Sequence, residues 1–168
     1  MQAAYESAAQ YAEDRTMFGQ PVGDYQLTQI KLARMAVSIQ AARQFGYAVA
    51  RMMAKGEGSL EASMVKAYVC KAAEWVTREA MQVHGDMGYA EEYDVSRYFV
   101  DARVLSIFEG ADETLCLKII ARRLLERAQA PARRRRGRLR DPCPAVNSFG
   151  WRGPWPGRPS RKAATIGS

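Results

Sequence analysis

Proline is nearly absent from the first 130 residues. Pro21 stands alone there, and the other six prolines of the 168-residue chain fall between Pro131 and Pro159. A stretch so poor in helix breakers is open to long helices. Histidine occurs once, as His84, and the three cysteines Cys70, Cys116 and Cys143 stand far apart, in odd number and without CxxC spacing. That excludes a disulfide framework and a zinc site built on paired ligands, so a reducing compartment is expected. There is no uninterrupted apolar run of about 18 residues, and the first residues lack the basic-then-apolar order of a signal peptide. The expectation is a soluble, intracellular, cytoplasmic protein without a membrane span.

Charge of one sign is also scarce where it would matter. The chain has 25 Lys and Arg against 18 Asp and Glu, a net charge of +7. Ten of the basic residues and one acid, Asp141, lie between Pro131 and Ser168, which leaves fifteen basic against seventeen acidic residues before them. The first 130 residues are therefore nearly neutral, which excludes a basic nucleic-acid-binding core and confines the basicity question to the tail. A hydrophobic share of 48% suffices for one modest core.

Helical periodicity is what the sequence does supply. Residues 1–14 carry Ala4, Ala8, Tyr11 and Ala12 on one helical face, and the helix is already under way at Met1, as expected of a chain that continues a longer protein. The segment RTMFGQPVGD breaks it into a loop. From about Tyr25 to Met53 the residues Leu32, Met35, Ile39, Ala42, Gly46, Val49 and Met53 recur at spacings of three and four. KGEGS ends that helix, and a third runs from about Leu60 to His84 with Val65, Val69, Ala72, Val76, Ala80 and Val83 on its face. Two long helices joined by a short loop lie antiparallel. A short helical piece is expected around Glu92–Asp101, then an apolar stretch Val104–Phe108. A last helix over about Glu113–Arg127 follows, with Leu117, Ile120, Ala121 and Leu124 inward. No β alternation is visible, so the expected fold is all-α, an up-and-down four-helix bundle over residues 1–129.

Residues 130–168 have no helical or strand period and read as a disordered Arg/Pro/Gly-rich tail. Their composition is what a GC-rich message gives when read out of frame. The alternative is a nucleic-acid arm in which Trp151 and Trp155 stack on bases.

Three segments could carry chemistry. Glu109 follows Ile107 and Phe108 and precedes Gly110, where a second molecule could approach the backbone closely. Desolvation there would raise a carboxyl pKa and suit a general base, or the charge simply favours the start of the last helix. Arg15, with Phe18, Gly19 and Gln26, could hold a pyrophosphate and a ribose or base edge, or Arg15 is a surface residue beside a turn. Gln82-Val83-His84-Gly85-Asp86-Met87-Gly88-Tyr89 could offer backbone N–H groups to a ligand, or is an ordinary glycine cap. His84 fits a helix C-terminal partner better than a catalytic role.

In this order the three segments resemble the C-terminal helical domain of the acyl-CoA dehydrogenase family, over about Ala3–Arg127. YAEDRTMFGQPVGDYQ is similar to the family's Y-x-x-x-R-x-x-F-G-x-x-[IVL]-x-x-x-Q. QVHGDMGY is similar to Q-x-x-G-G-x-G-Y, and RVLSIFEGADE to R-x-x-x-I-[YF]-E-G-[TA]-x-[EQ]. The resemblance implies a flavoenzyme that desaturates an acyl-CoA between Cα and Cβ, with Glu109 as base and Gly110 beside the substrate. It implies FAD contacts at Arg15, Phe18, Gln26, Gln82, Val83, His84, Gly85, Asp86, Ala111, Asp112 and Glu113, some of them to FAD held by a neighbouring subunit. The implied partners are an acyl-CoA, an electron-transfer flavoprotein as acceptor, and further copies of the chain in a homodimer or homotetramer. No specific nucleic acid, membrane or metal is implied. Asp86 stands where the family usually has Gly, and Ala111 where many members have Thr. The family's N-terminal helical and middle β domains are missing, so the isolated chain is expected to hold FAD weakly and not to turn over. An acyl-CoA oxidase-like fragment and a non-catalytic oligomerisation bundle are the other readings.

Overall fold

The structure, a computed structural model, describes residues 1–128; the expectations for 130–168 lie outside the described residues. Helix α1 spans Gln2–Asp14, α2 Gln26–Met53, α3 Ser59–His84 and α4 Asp94–Leu105. A last helix over 112–128 opens as an α-turn at Asp112–Thr114, widens to a π-helix over Leu115–Ala121 and closes as α-helix. The molecule belongs to the all-α class that the periodicity indicates, with α3 touching every other helix.

Alanine lets α1 sit close. Ala4, Ala8 and Ala12 are at most 1% exposed and pack against Met35, Ile39, Val76, Ala80 and Val83. The α2–α3 connection turns on Gly56 and Gly58, both with positive φ. Lys31, early in α2, then meets Glu79, late in α3, at 2.5 Å, so the two helices are antiparallel. Glu79 is buried, which pushes its carboxyl up, but its bonds to Lys31 and Arg78 outweigh that and leave it below its usual value. Cys70 and Cys116 are free thiols. No helix among the described residues is long and apolar enough to cross a membrane.

Four local expectations need correcting. The loop after α1 contains a minimal β-hairpin, Thr16–Met17 paired with Gln20–Pro21, whose Phe18 and Gly19 both have positive φ. Two such residues in a two-residue turn match the twist of a hairpin, and alternation over two residues is too short to read from sequence. The piece expected at Glu92–Asp101 runs on through Val104 and Leu105 as one helix. In α3 the buried face is Leu60, Ala73, Val76, Ala80 and Val83, whereas Val65, Val69 and Ala72 are only half-buried. In the last helix Leu115 is buried, whereas Leu117 is 72% exposed and Leu124 45%. Ile120 and Ala121 are half-buried as expected, but the π-helical widening rotates the phase, so a count at α-helical spacing puts Leu117 and Leu124 on the wrong side.

Candidate active site

Glu109 sits in the turn between α4 and the last helix. Ile107 and Phe108 N–H both donate to Val104 O, and Asp112 N–H closes the turn onto Ser106 O at 3.1 Å. Glu109 and Gly110 have φ of +55° and +97°, the first in a region that non-glycine residues seldom occupy. Such an outlier marks a place whose surroundings hold it against its preference. The carboxylate is exposed, and Ile107 and Phe108 beside it are about half exposed, so the apolar walls expected around it are not formed by the described residues. Ala111 and Asp112 are half-buried and Glu113 is exposed. Asp112 approaches Lys71 of α3 at 3.8 Å, and Lys71 also lies 3.6 Å from Glu74, which pairs with Arg103 of α4. Charged contacts thus tie both flanks of the turn to α3.

The other predicted residues gather at the far end of α3. A cleft of about 370 Å³ there is lined by Ser7, Tyr11, Asp14 and Arg15 of the α1 end and by His84, Met87 and Tyr93. His84 is 1% exposed. Tyr11 stacks on its ring at 4.4 Å and Tyr93 meets it edge-on at 5.5 Å. Its Nδ1 lies 2.8 Å from Ala80 O and its Nε2 3.3 Å from Ser7 Oγ. The carbonyl can only accept, so Nδ1 carries the proton and Nε2 accepts from the hydroxyl. Burial pushes the imidazole below its ordinary value, opposed by the Ala80 bond. His84 is thus a neutral hydrogen-bond partner of the last α3 turn, where a charge complementing the helix dipole was expected.

Arg15 is exposed at the α1 C-cap and makes no ion pair among the described residues. Gly85 ends α3 with φ +64°, and nothing lies within 4 Å of where a Cβ would project. Gly88 is fixed by packing, because a Cβ there would collide with the Met81 carbonyl. Asp86 turns its Oδ1 back to accept from Met87 N–H at 3.0 Å. Arg15, a cation without an ion-pair partner among the described residues, could hold an anionic group such as the pyrophosphate of a dinucleotide cofactor, with open space over Gly85, whose own N–H donates to Gln82 O. Val83 is in the core, so only its backbone is available; Gln82 and Gln26 are exposed, and Phe18 is 93% exposed at the hairpin tip. Tyr25 supports that tip by donating from its hydroxyl to Met17 O at 2.7 Å.

The structure therefore brings Arg15 and His84 to one cleft and Glu109 to Glu113 to another place. From the α3 residue that touches the Glu109 turn, Lys66, to His84 is about 27 Å at helical rise. Lys66 itself escaped sequence reading: it bonds backbone carbonyls far along the chain, and no side-chain pattern announces such a contact.

An all-α bundle with a left-handed Glu-Gly turn at one place and an Arg- and His-lined cleft at another defines a class of helical domain, and comparison with known proteins makes the class specific. Residues 1–125 match the acyl-CoA dehydrogenase C-terminal domain, and the chain belongs to that family. It is 44% identical over 126 residues to (2S)-methylsuccinyl-CoA dehydrogenase of Cereibacter sphaeroides, covering 74% of this chain and 23% of that protein. It is 36% identical over 113 residues to a subunit of the caffeyl-CoA reductase-Etf complex of Acetobacterium woodii, covering 67% of this chain and 30% of that one. Among solved structures, butyryl-CoA dehydrogenase of Megasphaera elsdenii superposes with a TM-score of 0.71 at 36% identity, over 74% of this chain and 32% of that one. The chain thus spans about a quarter to a third of the length of these relatives.

Proposed function

We propose that the chain is the base-bearing helical part of an FAD-dependent acyl-CoA dehydrogenase, and that Glu109 takes the proton from the carbon next to the thioester carbonyl. The observation that carries this reading is the Glu109–Gly110 turn, a left-handed glutamate at the place where the third family motif puts its base. In that role the carboxylate accepts the Cα proton, and the thioester oxygen accepts a hydrogen bond from the Glu109 N–H, where negative charge develops. FAD, when bound, supplies the two-electron acceptor for the hydride that leaves Cβ.

Arg15 and the Gln82–Asp86 backbone would hold the cofactor's pyrophosphate and adenosine end, with Phe18 and Gln26 beside it. Ala111–Glu113 would contact cofactor near the base. Because the two groups lie far apart on α3, they serve cofactors of different copies, which makes the working form a homodimer or homotetramer. The outer face of α2 supports such pairing: Leu27, Ile30, Val37 and Tyr47 are each about half exposed or more. The apolar walls that Glu109 lacks here are supplied by the parts of the relatives that this chain does not span. An electron-transfer flavoprotein is the proposed electron acceptor, supported by the Etf complex named for the Acetobacterium relative.

On this account the purified chain alone binds FAD far below stoichiometry. Its visible spectrum with added FAD and butyryl-CoA shows no flavin bleaching. Tight, stoichiometric FAD that bleaches with an acyl-CoA would overturn the dependence on the parts of the relatives that this chain does not span.

A further inference from the structure

Lys66, in the second turn of α3, reaches across to the turn that carries Glu109. Its Nζ donates to Phe108 O at 2.7 Å and to Gly110 O at 2.5 Å, the two carbonyls that flank Glu109. Bonds from an ammonium are stronger than those between neutral groups, and one point charge here gathers two acceptors. No other side chain among the described residues bonds the backbone of 108–110. The backbone they hold is the least comfortable in the turn, with φ +55° at a glutamate followed by +97°. With both flanking carbonyls drawn to one ammonium, the N–H groups of Glu109 and Gly110 have no protein acceptor among the described residues. A carboxylate and unpaired N–H donors then share one exposed turn, the pairing that proton removal beside a carbonyl requires.

We propose that Lys66 is the positioning residue of this turn: its ammonium, bonded to the carbonyls of Phe108 and Gly110, holds Glu109 in the left-handed conformation that sets its carboxylate and N–H against one acyl thioester. The functional half of this statement rests on the reading of Glu109 as base, whereas the clamp can be tested without it.

Amide exchange followed by NMR in the full chain is the test, with Asp112 N–H as reporter because it closes the turn onto Ser106 O. Val76 and Ala80, in the core of α3, serve as controls. Lys66→Met should speed Asp112 exchange about tenfold or more relative to those controls, and Lys66→Arg, which keeps charge and donors, should restore it to within about threefold. Unchanged Asp112 exchange in Lys66→Met, or Lys66→Arg no better than Met, would overturn the clamp. If Lys66→Met does not fold, acetylation of the wild-type chain decides. Lys66 should react about fivefold or more slowly than the exposed Lys55 and Lys118, and equal rates would overturn the proposal. Glu109→Gln should leave Asp112 exchange unaltered, so failure of the clamp and failure of the base reading are separate results.

Discussion

His84 is enclosed on every side, with Tyr11 on its face, Tyr93 at its edge, and both ring nitrogens bonded. Its folded pKa lies below the ordinary value of 6.5, so the unfolded chain takes up the proton first as pH falls. Its contribution to stability is complete above that ordinary value and is lost progressively below it, down to the folded pKa. The urea midpoint should therefore fall between pH 7 and pH 5.5, roughly across the unfolded histidine titration. His84→Gln, less stable at pH 7, should show a shallower decline; an identical pH slope in that variant would refute the buried neutral ring. The break at Glu109 and Gly110 was legible from sequence, because a glycine follows the apolar stretch and precedes the last helix. Lys66 was not, since its partners are backbone carbonyls 42 and 44 residues away. The burial state of His84 was not legible either. A lone histidine at a helix end gives no sign of whether aromatic rings cover it.

At the scale of elements, α1 docks through a stripe of alanines with no room to spare. Ala8→Leu inserts three carbons into a site that is 0% exposed and should cost about 1–3 kcal/mol. Equilibrium urea unfolding measures it, and a loss under about 0.5 kcal/mol would mean that α1 is not packed as described. The long helices were readable because their apolar residues keep α-helical spacing over about four turns, as Met35, Ile39, Ala42 and Val49 do in α2. The last helix was found where expected, but part of its face was misread because periodicity assumes one pitch. The π-segment over Leu115–Ala121 breaks that assumption and leaves Leu117, Leu124 and Leu125 outward. The hairpin at Phe18–Gly19 went unseen for a related reason: a two-residue strand is shorter than any period that could reveal it.

At the scale of the whole molecule, the chain spans a fraction of its relatives and holds the Arg15–His84 cleft and the Glu109 turn at separate places along α3. That separation could not be read from three motifs in order, since order along a chain does not say which motifs meet. It gives the proposed function its form: a proposed base exposed in this chain, a cation without an ion-pair partner among the described residues, and an outer α2 face with apolar side chains exposed. The decisive measurement replaces the matching segment of the Megasphaera butyryl-CoA dehydrogenase with residues 1–125 of this chain and follows butyryl-CoA-dependent flavin bleaching, with and without Glu109→Gln. The account predicts that the chimera bleaches and that the amide variant is slower by about 10²–10⁴-fold while its FAD content is kept. A Glu109→Gln chimera that bleaches as fast as its parent would contradict the assignment of Glu109 as the base.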